Sequence, residues 1–114
     1  MKSFEKAEQL IRGILIKRGC EILVSNFRRR GCELDLVATK DRNLYIVEVK
    51  YCRRPVVHAY QIKYLMNRPK RNALVRGCEI FKRTTYDSYE TTRFDLAVVS
   101  QNNRVQYFPN VFEY

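Results

Sequence analysis

The sequence predicts a mixed α/β protein in which helices cover a central sheet, in the order helix, three strands, helix, two strands. Three apolar segments of strand length lie between two stretches with helical apolar spacing, and two more follow the second stretch. Helices packed on a sheet bury both kinds of apolar face. A chain of 114 residues has room for one hydrophobic core, so residues 1 to 114 are expected to form one domain.

The first helix is expected over about residues 3 to 18. Apolar residues recur three and four positions apart from Phe4 to Leu15, which is the spacing of one helical face. Ser3 is a candidate N-cap, and Gly19 stands where helices commonly end.

Three strands are expected next, at about residues 21 to 27, 33 to 39 and 44 to 50. The β-branched and aromatic content of the third strand suits the interior of a sheet. A basic break over residues 28 to 31 separates the first two strands. Residues 40 to 43 have the polar composition of a hairpin turn.

The second half of the chain begins with an ambiguous segment. The apolar positions of residues 53 to 66 fit either a strand or a loop followed by half a helix. Asn67 and Pro69 then mark the start of a second helix that ends near residue 82, as a cap followed by a first-turn proline. A polar loop over residues 84 to 92 leads into strands at 93 to 100 and 104 to 108.

The chain is strongly basic. It contains 22 lysine and arginine residues against 12 acidic ones, for a formal net charge of +10, which is typical of a protein that binds a polyanion. Ten basic residues and a single acid, Glu79, lie between positions 50 and 83. This window is either a solvated surface or a phosphate-binding face. Tyr60 and Tyr64 within it could stack on unpaired bases or pack against the sheet.

The sequence also indicates where the protein resides and whether it binds zinc. No apolar run approaches the roughly 18 to 20 residues that cross a bilayer, and charges interrupt the first twenty positions, where a secretory signal would be apolar. A cytoplasmic protein without a membrane partner is expected. The four cysteines are far apart in the sequence and His58 is the single histidine, which disfavours a zinc site and favours separate buried or half-exposed thiols.

Asp35 in the second predicted strand and Glu48 and Lys50 in the third form the candidate catalytic centre. Side chains alternate along a strand, so Glu48 and Lys50 project from one face, and the hairpin brings Asp35 beside them. Two converging carboxylates suit Mg²⁺, and an adjacent ammonium can orient the attacking water and balance charge on a phosphate.

An ordinary ion pair on an exposed sheet face is the alternative interpretation of these three residues. The acids lie among apolar residues, where an unpartnered charge is costly to bury. That placement favours the functional interpretation.

The spacing of Asp35, twelve intervening residues and Glu48-x-Lys50 resembles the PD-(D/E)-X-K signature of restriction-endonuclease-like nucleases. The whole chain resembles the YraN family of uncharacterised endonuclease-like proteins, which are related to archaeal Holliday junction resolvases. Further residues in family order are Glu8, Gly19, Asn26, Glu33, Lys70, Arg93, Asp95 and the run from Pro109 to Phe112. Departures are Cys32, where the family usually has glycine, and Cys52, where it has arginine.

This resemblance implies a restriction-endonuclease-like mixed central sheet flanked by helices, in the order α-β-β-β-α-β-β. It implies that Asp35 and Glu48 bind Mg²⁺ or Mn²⁺ and that Lys50 assists the water. Glu8 on the first helix would orient that water, and Lys70 would contact the scissile phosphate or the backbone. A homodimer is compatible with it, because the related resolvases work as dimers.

We therefore expect a Mg²⁺-dependent endonuclease that hydrolyses phosphodiester bonds in DNA, on branched or single-stranded substrates. The expected DNA-binding residues are Arg28, Arg29, Arg30, Arg53, Arg54, Lys70 and Arg71. The alternative is a catalytically silent nucleic-acid-binding module in DNA repair, recombination or uptake. A third interpretation, a basic protein for ribosomal RNA or anionic lipid, has less support from the sequence.

Overall fold

The computed structural model describes residues 2–114. The elements in chain order are α1 (Ser3–Lys17), β1 (Glu21–Arg29), β2 (Cys32–Lys40), β3 (Asn43–Tyr51), α2 (Ala59–Leu65), α3 (Arg68–Lys82), β4 (Thr91–Ser100), a 3₁₀ turn (Gln101–Asn103) and β5 (Arg104–Phe112). The predicted order of helices and strands is confirmed. The short helix α2 lies in the segment for which the sequence left two interpretations open.

The five strands form one sheet in the order β1-β2-β3-β4-β5. β3 and β4 run parallel, and the three other neighbouring pairs are antiparallel. The parallel pair needs a long crossover, and α2 and α3 lie within it. The sheet is therefore mixed, with β1 and β5 at its edges.

Helices cover both faces of the sheet. On one face, α1 packs its buried residues Ala7, Ile11 and Leu15 against Val47 and Val49 of β3. On the other face, α3 packs residues of its apolar stripe against alternate residues of the same strands; this second cluster includes Leu34, Val37, Leu44, Ile46, Leu74, Cys78, Phe81, Phe94 and Leu96. The alternation of β3 between the two clusters places Glu48 and Lys50 on the α3 face, as the sequence predicts.

Some element boundaries differ from the sequence prediction. The N-cap of α1 is Lys2, so the prediction that Ser3 caps this helix is wrong. β1 continues through Arg28 and Arg29 because it pairs with β2 as far as Arg29 and Cys32. Arg30 and Gly31 alone form the turn, so the predicted basic break is shorter than expected.

Two later strands, like β1, are longer than predicted. β4 begins at Thr91 within the predicted loop, and β5 extends to Phe112 rather than residue 108. Backbone pairing extends strands through polar positions. The predicted start of α3 is confirmed, since the Asn67 side chain accepts a hydrogen bond from the Lys70 backbone N–H at 3.1 Å.

The four cysteines are free thiols. Cys32 and Cys78 are buried, and Cys20 and Cys52 are half-buried, as expected from their spacing. No helix within residues 2–114 combines the length and the apolar character needed to cross a bilayer.

Two glycines in helices are expected to respond to alanine in opposite directions. A Cβ at Gly77 of α3 would lie 2.8 Å from Cδ2 of the fully buried Leu34, so Gly77→Ala should lower the free energy of unfolding by about 1–3 kcal/mol. A Cβ at Gly13 of α1 meets nothing within 4 Å, so Gly13→Ala should raise it by about 0.5–1 kcal/mol. Urea denaturation of both variants measures these changes. A stabilised Gly77→Ala would contradict the close packing of α3 on β2.

Candidate active site

β2 and β3 separate at the point where the two predicted catalytic acids lie. The pairing of β2 with β3 runs from Lys40 and Asn43 to Leu36 and Val47. β3 continues beyond this point, paired in parallel with β4 as far as Tyr51. At the separation the Asp35 carboxylate accepts a hydrogen bond from the Val49 backbone N–H at 2.9 Å, so a side chain takes the place of the next ladder bond.

The alternation of β2 is broken at Asp35. Leu34 belongs to the cluster on the α3 face, whereas Leu36, two positions along, belongs to the cluster on the α1 face. In the neighbouring strand, Asn26 has φ of +54°, a conformation that asparagine tolerates better than most residues. These local irregularities let Asp35 reach towards β3.

Glu48 is the most deeply buried member of the site, with 2% of its surface exposed. Its Oε2 atom lies 2.5 Å from Nζ of Lys70 on α3 and 3.4 Å from Nζ of Lys50. Its Oε1 atom is buried and has no hydrogen-bond partner within the part of the chain that the structure describes. We call Asp35, Glu48, Lys50 and Lys70 the carboxylate fork.

The surroundings of Asp35 in the carboxylate fork raise its pKa. Burial, and next the charge of Glu48, raise the pKa of Asp35 to about 8, although the Val49 N–H opposes the shift. The positive charge of Lys70 lowers the pKa of Asp35, but by less than burial and Glu48 raise it. A further positive charge between the two carboxyl groups would relieve this cost.

This pKa predicts an unusual dependence of stability on pH. In metal-free solution, folded Asp35 holds a proton between its ordinary pKa of 3.8 and about 8, a range in which the unfolded chain has released it. The free energy of unfolding should therefore fall as pH rises through this range. Asp35→Asn should weaken this fall and be more stable than the wild type at about pH 9. Urea denaturation in EDTA at about pH 5 and about pH 9 tests this, and parallel pH curves for both proteins would contradict it.

Glu8 is not held by direct contacts to the carboxylate fork. Its Oε1 atom accepts a hydrogen bond from Nδ2 of Asn26 at 2.9 Å. Partial burial raises the pKa of Glu8, with smaller opposing effects of Asn26 and Arg12. Asn26 lies on β1, which pairs with β2, the strand of Asp35. Glu8 is therefore linked to the site through Asn26, and its catalytic role stays a prediction.

The residues predicted to bind DNA fall into three groups in the fold. Arg53 and Arg54 are exposed immediately after β3, beyond Lys50. Arg28 and Arg29 lie at the end of β1, where Arg28 pairs with Glu33 at 3.1 Å and Arg29 lies 4.3 Å from the ring centre of Phe27.

Arg30 adjoins Arg28 and Arg29 and is exposed in the turn after β1. The third group, Lys70 and Arg71, lies near the start of α3. Arg71 is half-buried on α3, with its guanidinium 6.0 Å from the ring centre of Phe112. Lys70 belongs to the carboxylate fork. The family resemblance implies that Lys70 contacts the scissile phosphate or the DNA backbone, and its contact with Glu48 was not predicted.

A third buried acid, Asp95 of β4, was not predicted to be a structural centre. It is fully buried, and it accepts two hydrogen bonds from Arg93 at 2.8 and 2.9 Å, one from the Tyr107 hydroxyl at 2.6 Å and one from the Asn110 backbone N–H at 2.9 Å. Its place between Phe94 and Leu96 is the same signal that pointed to Asp35. Asp95 differs from Glu48 because both of its oxygens are satisfied, so it joins β4 to β5.

Comparison with solved structures identifies a similar fold. Hjc, a Holliday junction resolvase from the archaeal hyperthermophile Archaeoglobus fulgidus, superposes with a TM-score of 0.52 and is 20% identical. The match covers 90% of this chain and 72% of that chain. The expected mixed sheet flanked by helices is therefore a fold that this resolvase shares.

Comparison of sequences gives a closer relationship. The model of the uncharacterised protein family UPF0102 matches residues 7–99. A UPF0102 protein of Trichlorobacter lovleyi is 36% identical over 93% of this chain and 86% of its own length. One from Campylobacter fetus is 29% identical over 93% of this chain and 89% of its own length. The chain belongs to the uncharacterised protein family UPF0102, which is the YraN family that its sequence resembles.

Proposed function

We propose that this protein is a metal-dependent endonuclease that hydrolyses phosphodiester bonds in DNA. The observation that carries the proposal is the Glu48 carboxylate, which is almost completely buried, has one oxygen without a partner and lies beside a second buried acid, Asp35. A buried carboxylate pair with an unsatisfied oxygen suits a cation better than it suits a stable core.

The donor atoms of the carboxylate fork fit Mg²⁺ or Mn²⁺. Both proposed ligands are carboxylates, the hard oxygen donors that these ions prefer. Within residues 2–114 no group of three or more His, Cys, Asp or Glu side chains is placed to hold a metal. Mg²⁺ is commonly bound by one or two carboxylates, with water and substrate phosphate completing its shell, so Asp35 and Glu48 are sufficient protein ligands.

Each side chain of the carboxylate fork has a role in this proposal. A bound divalent cation would polarise a phosphate oxygen and lower the pKa of a water molecule. Lys50 is 36% exposed, so its ammonium can orient a water from solvent and offset negative charge that builds on the phosphate. Lys70 forms an ion pair with Glu48 while the fork holds no cation.

The positive charge of the chain supports DNA as the substrate. Arg53 and Arg54 extend the basic surface beyond Lys50, and phosphate neutralisation by such residues supplies most of the affinity for nucleic acid. The fold neighbour is a Holliday junction resolvase, which supports branched DNA as one substrate to test. Action on DNA as a homodimer in the cytoplasm is part of this proposal.

Lys50→Ala is expected to lower cleavage of branched and single-stranded DNA by about a hundredfold or more, since loss of one group that stabilises developing charge costs roughly 10²–10³-fold. Single-turnover assays with Mg²⁺ and with Mn²⁺ measure this rate. Asp41→Asn is the matched control, because Asp41 is exposed in the β2–β3 turn with φ of +52°, which asparagine tolerates. Equal cutting by the wild type and Lys50→Ala would reject Lys50 as the catalytic lysine.

A catalytically silent nucleic-acid-binding module is the second candidate, and the Lys70 contact favours it. An ammonium 2.5 Å from Glu48 can neutralise the fork without any metal. Calorimetric titration with Mn²⁺ separates the two functions. The endonuclease requires a saturable site that is lost in Asp35→Asn and tighter in Lys70→Ala, whereas the module requires salt-sensitive DNA binding and no such site.

A further inference from the structure

Two tyrosines of α2 are exposed on one side of a short helix. Tyr60 and Tyr64 are 67% and 77% exposed, and their spacing of four places them one above the other on the helix surface. The Tyr60 ring also stacks on His58, with centres 5.3 Å apart and an interplanar angle of 12°. Neighbouring exposed rings, unlike single ones, can mark a binding surface.

A cavity of about 230 Å³ opens beside these rings. It is lined by residues of the segment after β3, Cys52, Arg54 and Val56, and by residues of α2, Tyr60, Gln61, Tyr64 and Leu65. It is smaller than the roughly 300–1,000 Å³ of pockets for drug-sized ligands, which suits a single flat ring system. Its walls are mostly apolar, and one guanidinium stands at the wall formed by the chain after β3.

Hydrogen bonds hold both walls in place. The Gln106 side chain of β5 accepts from the Val56 N–H at 2.7 Å and donates to the Val56 carbonyl at 2.8 Å. The Gln61 Oε1 atom accepts from the N–H groups of Val57 and His58, both at 2.8 Å. A pocket fixed in this way loses little conformational freedom when a ligand enters.

The cavity lies on the same face of the sheet as the carboxylate fork. Cys52 follows Lys50 by two positions, or about 7 Å along an extended chain. Cys52, Ile62 and Leu65 pack on the cluster that lies under α3, the face from which Glu48 and Lys50 project. From Lys50 to Arg68 every charged residue is basic, so a phosphate chain that reaches the fork would continue past this cavity without repulsion.

We propose that this cavity receives an unpaired nucleobase, which stacks on Tyr64 or Tyr60 while the adjoining phosphates lie against Lys50, Arg53 and Arg54. The inference rests on the proposed function and narrows its substrate to nucleic acid with unpaired nucleotides near the cleaved bond. A base inside a duplex is stacked on its neighbours and cannot enter the cavity. Stacking on an aromatic side chain is tolerant of sequence, so the cavity selects strand structure rather than base identity.

The test compares binding of two labelled single strands in EDTA, one of poly-thymidine and one of the same length with every base removed. Fluorescence anisotropy should show that the wild type binds the base-bearing strand more tightly by about five- to a hundredfold, the contribution of one stacked base. Tyr64→Ala combined with Tyr60→Ala should bring this ratio close to one. The corresponding pair of phenylalanine variants should keep it, because the ring face is preserved.

Tyr86→Ala is the matched control, since Tyr86 is fully exposed in the segment before β4 and lines another part of the surface. An unchanged ratio in the double alanine variant would overturn the proposal. Sedimentation that shows a wild-type dimer and a monomeric double variant would also overturn it, by making the tyrosines an interface between copies. The binding assay contains EDTA, so it does not depend on metal-dependent cleavage. If the protein never cuts DNA but still prefers the base-bearing strand, the proposed endonuclease activity is refuted and the proposed base-binding cavity is retained.

Discussion

Glu48→Gln is expected to abolish metal-dependent cleavage, with a fall of about 10³-fold or more in the single-turnover rate. The substitution keeps the size of the side chain and removes its charge, so the proposed site loses one of its two anionic ligands. Stabilisation of a phosphoryl transition state by a metal is worth several kcal/mol, and each 1.36 kcal/mol is tenfold in rate. The same variant should lose saturable Mn²⁺ binding in calorimetry.

Glu90→Gln is the control for this prediction, because the Glu90 side chain is 66% exposed and forms only a 3.8 Å contact with Arg42. It should cut DNA at the wild-type rate. Circular dichroism and urea denaturation establish that Glu48→Gln is folded under the assay conditions. Cleavage by folded Glu48→Gln at a rate near that of the wild type would mean that the reaction takes place elsewhere.

Asp95→Ala is expected to produce the largest loss of stability, about 3–5 kcal/mol in the free energy of unfolding. The change leaves Arg93, the Tyr107 hydroxyl and the Asn110 N–H without the carboxylate that they share. Tyr107→Phe removes one of these bonds and should cost about 1–2 kcal/mol. Urea denaturation measures both.

Should Asp95→Ala fail to fold, the Tyr107→Phe measurement still tests the network. Asp87→Ala provides the control at an exposed acid in the segment before β4, and its effect should be within about 0.5 kcal/mol. A change of this small size in Asp95→Ala would contradict a structural role for the buried carboxylate.

Local sequence patterns were sufficient for most of the fold because each main element carries its own signal. α3 has a side-chain cap and an apolar stripe, and β3 has a dense run of strand-forming residues. α2 carries only a weak signal, the Gln61 side chain that accepts from the His58 N–H, and a helix of seven residues is unstable alone. Ile62 and Leu65 are packed on the core by tertiary contacts, which the sequence of residues 53 to 66 does not display.

The candidate site was predictable to a similar depth. Acids in apolar strands pointed to Asp35 and Glu48, and strand alternation placed Glu48 and Lys50 on one face. The same signal is present at Asp95. Only the fold shows that hydrogen-bond donors surround the Asp95 carboxylate, whereas one oxygen of Glu48 has no partner in the described part of the chain. Lys70 is twenty positions beyond Lys50, and the packing of α3, which no local pattern encodes, brings it to Glu48.

The central claim, that Asp35 and Glu48 together hold a divalent cation, is tested most directly by anomalous diffraction from crystals soaked in Mn²⁺. We predict one strong anomalous peak in contact with carboxylate oxygens of both residues, with the Lys70 ammonium withdrawn from Glu48. The peak should be absent from crystals of Asp35→Asn. Wild-type crystals that bind Mn²⁺ only at other acids, or that keep Lys70 on Glu48 with no peak between the carboxylates, would contradict the claim.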